Sequence, residues 1–221
     1  VFNPVEETSN GGMAKNVQAN VEALDVECDI LTNKNHIIKS RYVDMKTNQM
    51  LLRVDENDHT EEEFRQVPEY LKGYDAIIVS DYNKGFLTNL DIAWICKSHP
   101  NTFVHSKKNF ILPLEREMRF FVINQQEYEK SKDHYKKDNE DFDNVWMDKL
   151  IVTQGEKGCR YQKKVYPSPK AREVQDLSGA GDTFIAALAV SMTRVGDPET
   201  AIKFANECSA TVVAKRGVAT I

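Results

Sequence analysis

The chain has 221 residues, of which 41% are hydrophobic and 29% charged, with ten Gly, seven Pro and four Cys. That composition excludes collagen, coiled coil and wholesale disorder, and the length suits one full domain or two small ones. Lys plus Arg is 29 and Asp plus Glu is 34, a formal charge of -5. No global basic field would attract nucleic acid or anionic lipid, so any anionic ligand must be held locally. Cys28, Cys96, Cys159 and Cys208 form no C-x-x-C pair, which argues against a zinc knuckle or a disulfide-stapled secreted scaffold and for a reducing compartment. No apolar run approaches the roughly 20 residues that span a bilayer. The start Val1-Phe2-Asn3-Pro4 lacks the pattern of a signal peptide, so the expected location is the cytoplasm, without membrane contact.

In chain order, Val17, Val21 and Leu24 fall at helical spacing after the permissive pair Gly11-Gly12, predicting a first helix over 16–24. Two extended runs, Ile37 to Met45 and Met50 to Asp55, flank Lys46-Thr47-Asn48-Gln49 and predict a hairpin. Thr60 followed by Glu61, Glu62 and Glu63 reads as an N-cap with acidic residues in the first turn, opening a helix that Pro68 kinks or interrupts. From Asp75 strand and helix alternate: Ala76–Val79 strand, Asn89–Lys97 helix, Thr102–Val104 strand, Arg119–Ile123 strand, Gln125–Lys132 helix, Leu150–Thr153 strand. This alternation predicts a doubly wound α/β fold with a mainly parallel sheet. The charged stretch Ser131 to Asp143 reads as a solvated helix face or loop. A hairpin follows Thr153, then two long helices from about Ala180 to Arg194 and Pro198 to Lys215.

The most informative segment is Val174-Gln175-Asp176-Leu177-Ser178-Gly179-Ala180-Gly181-Asp182-Thr183-Phe184, where a small-residue turn runs into an apolar helix. Amides of Gly179, Ala180 and Gly181 can converge at the helix amino terminus, where the dipole favours negative charge. Asp182 in that first turn could take a proton from an attacking hydroxyl while the amides stabilise a transferring phosphoryl group; an N-capping Asp after a flexible loop is an equally good reading. No Lys follows, so this is not a Walker loop.

A second glycine cluster, Gly11-Gly12, precedes Asn16, whose amide suits a polyol, although a tight turn explains it more simply. Ser80-Asp81-Tyr82-Asn83-Lys84-Gly85 ends one strand, and Asn124 with Glu127 ends another, where α/β sheets bind ligands. Asn124 and Glu127 could organise the water shell of Mg²⁺, or cap a helix. Thr153-Gln154-Gly155-Glu156-Lys157-Gly158 could line a nucleotide site or form a plain hairpin turn. None of the five His pairs with Ser or Cys in a nucleophile motif, and Trp94 and Trp146 read as core residues.

Together these motifs, in this order, resemble the ribokinase-like (PfkB) sugar kinases. Within that family Ser80–Gly85, Arg53-Val54-Asp55, and the tail from Phe204-Ala205-Asn206 through Val213, Lys215 and Gly217 are similar to the heptose 7-phosphate kinases. The resemblance implies a ribokinase-like core over residues 1–35 and 56–221, with residues 36–55 as a small β lid that takes part in homodimerisation. Measured against the family, the chain lacks the first core strand and, between Leu24 and Ile37, one βα unit. An Asp-Pro-Lys of the heptose kinases becomes Ser106-Lys107-Lys108, keeping Lys108. By the same resemblance Asp182 is the base and Gly179, Ala180 and Gly181 the anion hole. Thr153, Gly155, Gly158 and Asn206 lie around ATP, Asn124 and Glu127 serve Mg²⁺, and Gly12, Asn16, Arg41 and Lys84 face the sugar or sugar phosphate. The implied reaction is phosphoryl transfer from ATP to a sugar-phosphate hydroxyl, heptose 7-phosphate being favoured. A kinase for ribose or fructose, or a non-catalytic binding module, are the alternatives.

Overall fold

A computed structural model describes residues 4–47, 49–65, 68–108, 119–135, 146, 148–169, 174–215 and 217–221. Helix α1 (Gly12–Glu22) starts where Gly12 adopts φ 73°, a conformation that costs other residues strain. Its inner face carries Val17 and Val21 but also two buried polar residues, Asn16 and Asn20. Residues 26–37 then contain no helix or strand, consistent with a segment too short for a further βα unit.

Strands β1 (Ile38–Val43) and β2 (Met50–Glu56) pair antiparallel as a separate two-stranded sheet, with a register irregularity at Tyr42/Val43. Asn48, expected to make the turn, lies outside the described residues. Side chains alternate across a hairpin. One face therefore carries Lys39, Arg41, Arg53 and Asp55, and the other Ile38, Tyr42, Leu52 and Val54, all four exposed.

The helix expected from Thr60 does not form. Residues 61–65 are irregular, and among the described residues the only helix there is α2, the four-residue turn Pro68–Leu71. Thr60 does cap locally, accepting the Glu62 N–H at 3.1 Å, but its hydroxyl also takes a hydrogen bond from Asn35 Nδ2 and its own N–H donates to Lys84 O. These long-range bonds bury Thr60 and hold the chain extended, overriding the local helix signal.

The core is one six-stranded sheet of β3 (Ile77–Asp81), β4 (Thr102–Ser106), β5 (Phe120–Asn124), β6 (Leu150–Thr153), β7 (Cys159–Tyr161) and β8 (Lys164–Tyr166), in that spatial order. The first four are parallel and the last two antiparallel. Alternation along each strand sorts its residues between two faces. Phe103, Phe120, Val122 and Ile151 pack with α1 and with helices α5 (Ala180–Val195) and α6 (Pro198–Val212). Val104, Phe121, Ile123, Leu150 and Val152 pack on the opposite side with α3 (Asn89–Ser98), Trp146 and Tyr128 of α4 (Gln125–Tyr135). Both faces are covered, which is why these strands read as continuous apolar runs.

Helix α3 opens with a capping box in which Thr88 and Asp91 bond reciprocally. Helix α5 is buried from Asp182 to Met192, and Ala186, Ala187 and Ala189 leave its backbone close to its neighbours. The part of the charged stretch beyond residue 135 lies outside the described residues. All four cysteines are free thiols, and no described helix is long and apolar enough to cross a membrane.

Candidate active site

The four parallel strands end together, with Asp81 opposite Ser106 and Asn124 opposite Thr153. Helices α4 and α5 bring their amino termini to this edge. Asn124 caps α4 by accepting the Glu127 N–H at 2.9 Å, while Glu127 Oε2 accepts the Asn124 N–H at 2.9 Å. The two residues proposed for the metal thus form the helix cap, leaving Glu127 Oε1 with no partner among the described residues.

Asp182 lies in the first turn of α5 and is 2% exposed. Its Oδ2 accepts a hydrogen bond from Asn16 Nδ2 at 3.1 Å and its Oδ1 one from the Tyr82 hydroxyl at 2.8 Å. Burial pushes its pKa up to about 6, and those two donors, with the Lys107 ammonium, limit the rise. Asn16 is itself held by Asn20, whose Nδ2 donates to Asn16 O and Oδ1. Asn20 Oδ1 in turn accepts from the Thr183 hydroxyl and the Ile221 N–H, so α1, α5 and the chain's last residue share one polar network.

Gly179 caps α5 at φ 85°, and a Cβ there would meet Asn16 Nδ2 at 2.7 Å. Glycine is thus required both for the turn and for the close approach of Asn16 to Asp182. The amide of Ala180 leans on Leu177 O at 3.4 Å, so it is not wholly free. The amides of Gly179, Gly181 and Asp182 have no partner among the described residues. The preceding loop is fixed by Gln175 and Asp176 donating to Val213 O and by Ser178 N–H donating to Asp176 Oδ1. Under Gly181 lies His105, whose Cε1 would stand 3.1 Å from a Cβ on that glycine. His105 is buried, its Nδ1 has no hydrogen-bond partner among the described residues, and desolvation pushes its pKa down to about 4, so it is neutral at pH 7.

The cations differ in how they are held. Lys84 pairs with Asp58, which also pairs with Lys39 at 3.2 Å, and Lys39 reaches Asp55 at 3.6 Å, tying the loop after β3 to the root of the hairpin. Lys84, expected on the substrate side, is therefore already neutralised. Arg41 stands on the charged face of the hairpin directly opposite Arg53, which is engaged by Asp55. Lys108 donates to Asn83 Oδ1 at 2.6 Å and lies 3.7 Å from Asp81, and Ser106 donates to Asp81 at 2.8 Å. Ser106 is thus a hydrogen-bond partner of Asp81.

Of the residues expected around the nucleotide, Thr153 pairs with Asn124 and Cys159, and its hydroxyl bonds Ile123 O at 3.3 Å. Gly155, at φ 61°, faces open space within a short 3₁₀ turn that joins β6 to β7. Gly158 and Asn206 meet the same group: a Cβ on Gly158 would lie 2.1 Å from Tyr166 O, which accepts the Asn206 Nδ2 hydrogen bond at 3.0 Å. Asn206 is 4% exposed and also points at Cys159 Sγ, so its amide anchors α6 to the β7–β8 hairpin. Gly12, with nothing near a Cβ position, stands open four residues before Asn16. A 420 Å³ surface hollow lined by Asp148, Gln162, Lys163 and Lys164 lies over the β7–β8 turn, away from these strand ends.

The structure brings Asp182, Gly179–Gly181 and Asn16 into contact, and places Asn124, Glu127 and Thr153 along the same edge. It adds Tyr82, Asn20, His105 and Lys107, to which sequence reasoning assigned no role. The signal for Asn20 was its i, i+4 spacing from Asn16 on an otherwise apolar helix face; His105 and Lys107 were marked only by the end of a strand. Unpartnered amides at a helix terminus, an orphaned buried nitrogen beneath them and an open glycine turn fit an anionic nucleotide. No three His, Cys, Asp or Glu side chains converge on a metal site among the described residues. Glu127, whose Oε1 has no partner among the described residues, fits a hydrated cation in its donor chemistry.

This arrangement, a mostly parallel sheet with an Asp-bearing helix terminus at its strand ends and a separate two-stranded sheet, defines the ribokinase-like fold. The chain aligns with Thermotoga maritima ribokinase at a TM-score of 0.62 and 23% identity, covering 81% of this chain and 64% of that one. An uncharacterised sugar kinase from Pyrococcus horikoshii aligns at 0.63 and 18% identity, covering 97% and 88%. An Arabidopsis thaliana ribokinase complexed with ribose and ATP aligns at 0.56 and 16% identity, covering 77% and 61%. The pattern of the pfkB family of carbohydrate kinases matches residues 83–221, and the chain belongs to that family. It is 30% identical over 211 residues to the bifunctional protein HldE of Nitratiruptor, and 29% identical over 230 residues to that of Vibrio parahaemolyticus. These alignments cover 86% and 94% of this chain but 43% and 47% of those proteins, so the chain spans about half the length of the curated relatives it matches.

Proposed function

We propose that this chain is an ATP-dependent sugar kinase that transfers the γ-phosphate to a hydroxyl of a sugar phosphate, with heptose 7-phosphate as the favoured acceptor. The observation that carries the reading is Asp182: a buried carboxylate with pKa pushed up to about 6, in the first turn of a helix whose Gly181 and Asp182 amides have no partner among the described residues. Such a group is ionised at pH 7 yet basic enough to receive a proton. As the acceptor oxygen forms its bond to the γ-phosphorus and the bond to the β-phosphate bridge breaks, the hydroxyl proton passes to Asp182 and ADP leaves. The amides of Gly179, Gly181 and Asp182 stabilise the charge spread over the phosphoryl oxygens. Mg²⁺ bound near Glu127 and Asn124 would supply charge neutralisation on the phosphates.

Tyr82 bears on access. Its hydroxyl donates to Asp182 Oδ1 as an acceptor hydroxyl would, so substrate either displaces it or uses the second lone pair of that oxygen. The loop carrying Tyr82 is linked to the lid root through Lys84 and Asp58, a route by which lid movement and exposure of the base are coupled. The charged lid face with Arg41 and Arg53 suits an anionic acceptor, and the apolar face with Ile38, Tyr42, Leu52 and Val54 suits a second copy of this chain. HldE being the name of similar curated proteins supports the heptose acceptor over ribose or fructose. The covered base favours the rival reading, a binding module without turnover.

The test is ADP release from Mg-ATP with heptose 7-phosphate, fructose 6-phosphate, fructose and ribose. Acceptor-dependent ADP with the highest kcat/KM for heptose 7-phosphate is expected. A better rate with ribose or fructose would overturn the acceptor assignment, and no acceptor-dependent ADP with any of them would overturn the kinase.

A further inference from the structure

We infer that Lys107 binds the phosphate under transfer, acting from the end of β4 opposite the amides of α5; this rests on the kinase reading and adds a residue to it. Lys107 follows β4 directly, and its N–H donates to Asp81 O at 3.0 Å, so its backbone is fixed at the carboxyl edge of the sheet. Its Nζ lies 4.4 Å from the centroid of the Tyr82 ring, whose hydroxyl touches Asp182. The neighbouring cations are already paired: Lys84 with Asp58, Lys39 with Asp55 and Asp58, Lys108 with Asp81. Lys107 has no ion pair or hydrogen bond from its ammonium among the described residues, only the ring beneath it.

The charged groups that act on this ammonium are Glu127, Asp182, Lys39 and Lys84; desolvation lowers its pKa, the two carboxylates raise it and the two lysines lower it. Glu127 marks the proposed metal side and Asp182 the acceptor side. A cation under the influence of both, without a counter-ion of its own, is complementary to a phosphoryl group lying between them. Its hold on the ring is weak: a cation–π contact is worth less than a charge-assisted hydrogen bond to phosphate. The ring is therefore a resting place that the ammonium leaves without large cost.

The experiment compares ATP and ADP affinity by isothermal titration in the parent, Lys107→Met and Lys107→Arg, with thermal unfolding confirming that each variant is folded. Lys107→Met should weaken ATP by about tenfold or more and leave ADP within about twofold, while Lys107→Arg restores most of the difference. A merely structural role would shift both nucleotides together. Equal effects on ATP and ADP, or none, would overturn the assignment of Lys107 while leaving the kinase intact. A parent chain that binds neither nucleotide would overturn both.

Discussion

Replacing Asp182 by Asn changes stability in a way that depends on pH with a definite sign. The carboxyl has a pKa of about 6 in the folded chain against 3.8 for an ordinary Asp, the rise being due to burial. A raised carboxyl pKa stabilises the fold fully below the unfolded value and loses that contribution as pH climbs through the folded value. The difference of about 2 units corresponds to about 3 kcal/mol at 1.36 kcal/mol per unit. Asp182→Asn abolishes this loss. It also sets an amide nitrogen against Asn16 Nδ2 or forces one amide to flip, costing about 1–3 kcal/mol at every pH. The variant should therefore be less stable than the parent near pH 4 and about equal or more stable near pH 8. Between those limits the difference should swing by about 2.4 kcal/mol, because a little of the contribution is already lost at pH 4, or by about 5–10 °C in Tm for a chain of this size. Paired denaturant titrations from pH 4 to pH 8 measure the swing, because other groups titrate alike in both proteins and cancel. Parallel stability curves would refute the claim that Asp182 carries a buried charge at neutral pH. The same substitution should lower kcat by at least about a hundredfold, as loss of a general base does, with ATP affinity little changed.

The pH–rate profile of the parent should show an acid limb centred near 6, because the base must be ionised. In Tyr82→Phe that limb should move to higher pH, since the lost hydrogen bond favoured the charged form, and stability at pH 8 should fall by about 1–3 kcal/mol. An unmoved limb would show that another group governs the rate. On the exposed apolar face of the hairpin, proposed to pair with a second copy, Leu52→Lys together with Val54→Lys should shift sedimentation from dimer to monomer without lowering Tm. A parent that sediments as a monomer at tens of micromolar would remove the dimer proposal.

Much of the core was legible because its signals are local. The apolar runs at Ile77–Val79, Thr102–Val104 and Leu150–Thr153 gave strands, and Gly179 before an apolar helix gave the start of α5. The same reasoning failed at Thr60, where an N-cap followed by three Glu is a sound helix signal. Asn35 and Lys84 bond Thr60 from 25 and 24 positions away, and no window over residues 60–66 contains them. The partners of two residues that the resemblance placed at the site were equally illegible in a local window: Asp58 pairs with Lys84 across 26 positions, and Tyr166 O accepts from Asn206 across 40.

Periodicity in the chain determined which core residues face inward and where most helices and strands run, since those depend on side-chain spacing and backbone preference within a few positions. It also marked Asp182, because a carboxylate after Gly-Ala-Gly carries its own geometry. Which groups meet that carboxylate was decided only by the tertiary structure: Asn16 reaches it across 166 residues and Tyr82 across 100. The basicity of Asp182 likewise belongs to the folded molecule, because it arises from the loss of water around a charge, and only the packing of α1, β4 and α5 removes that water.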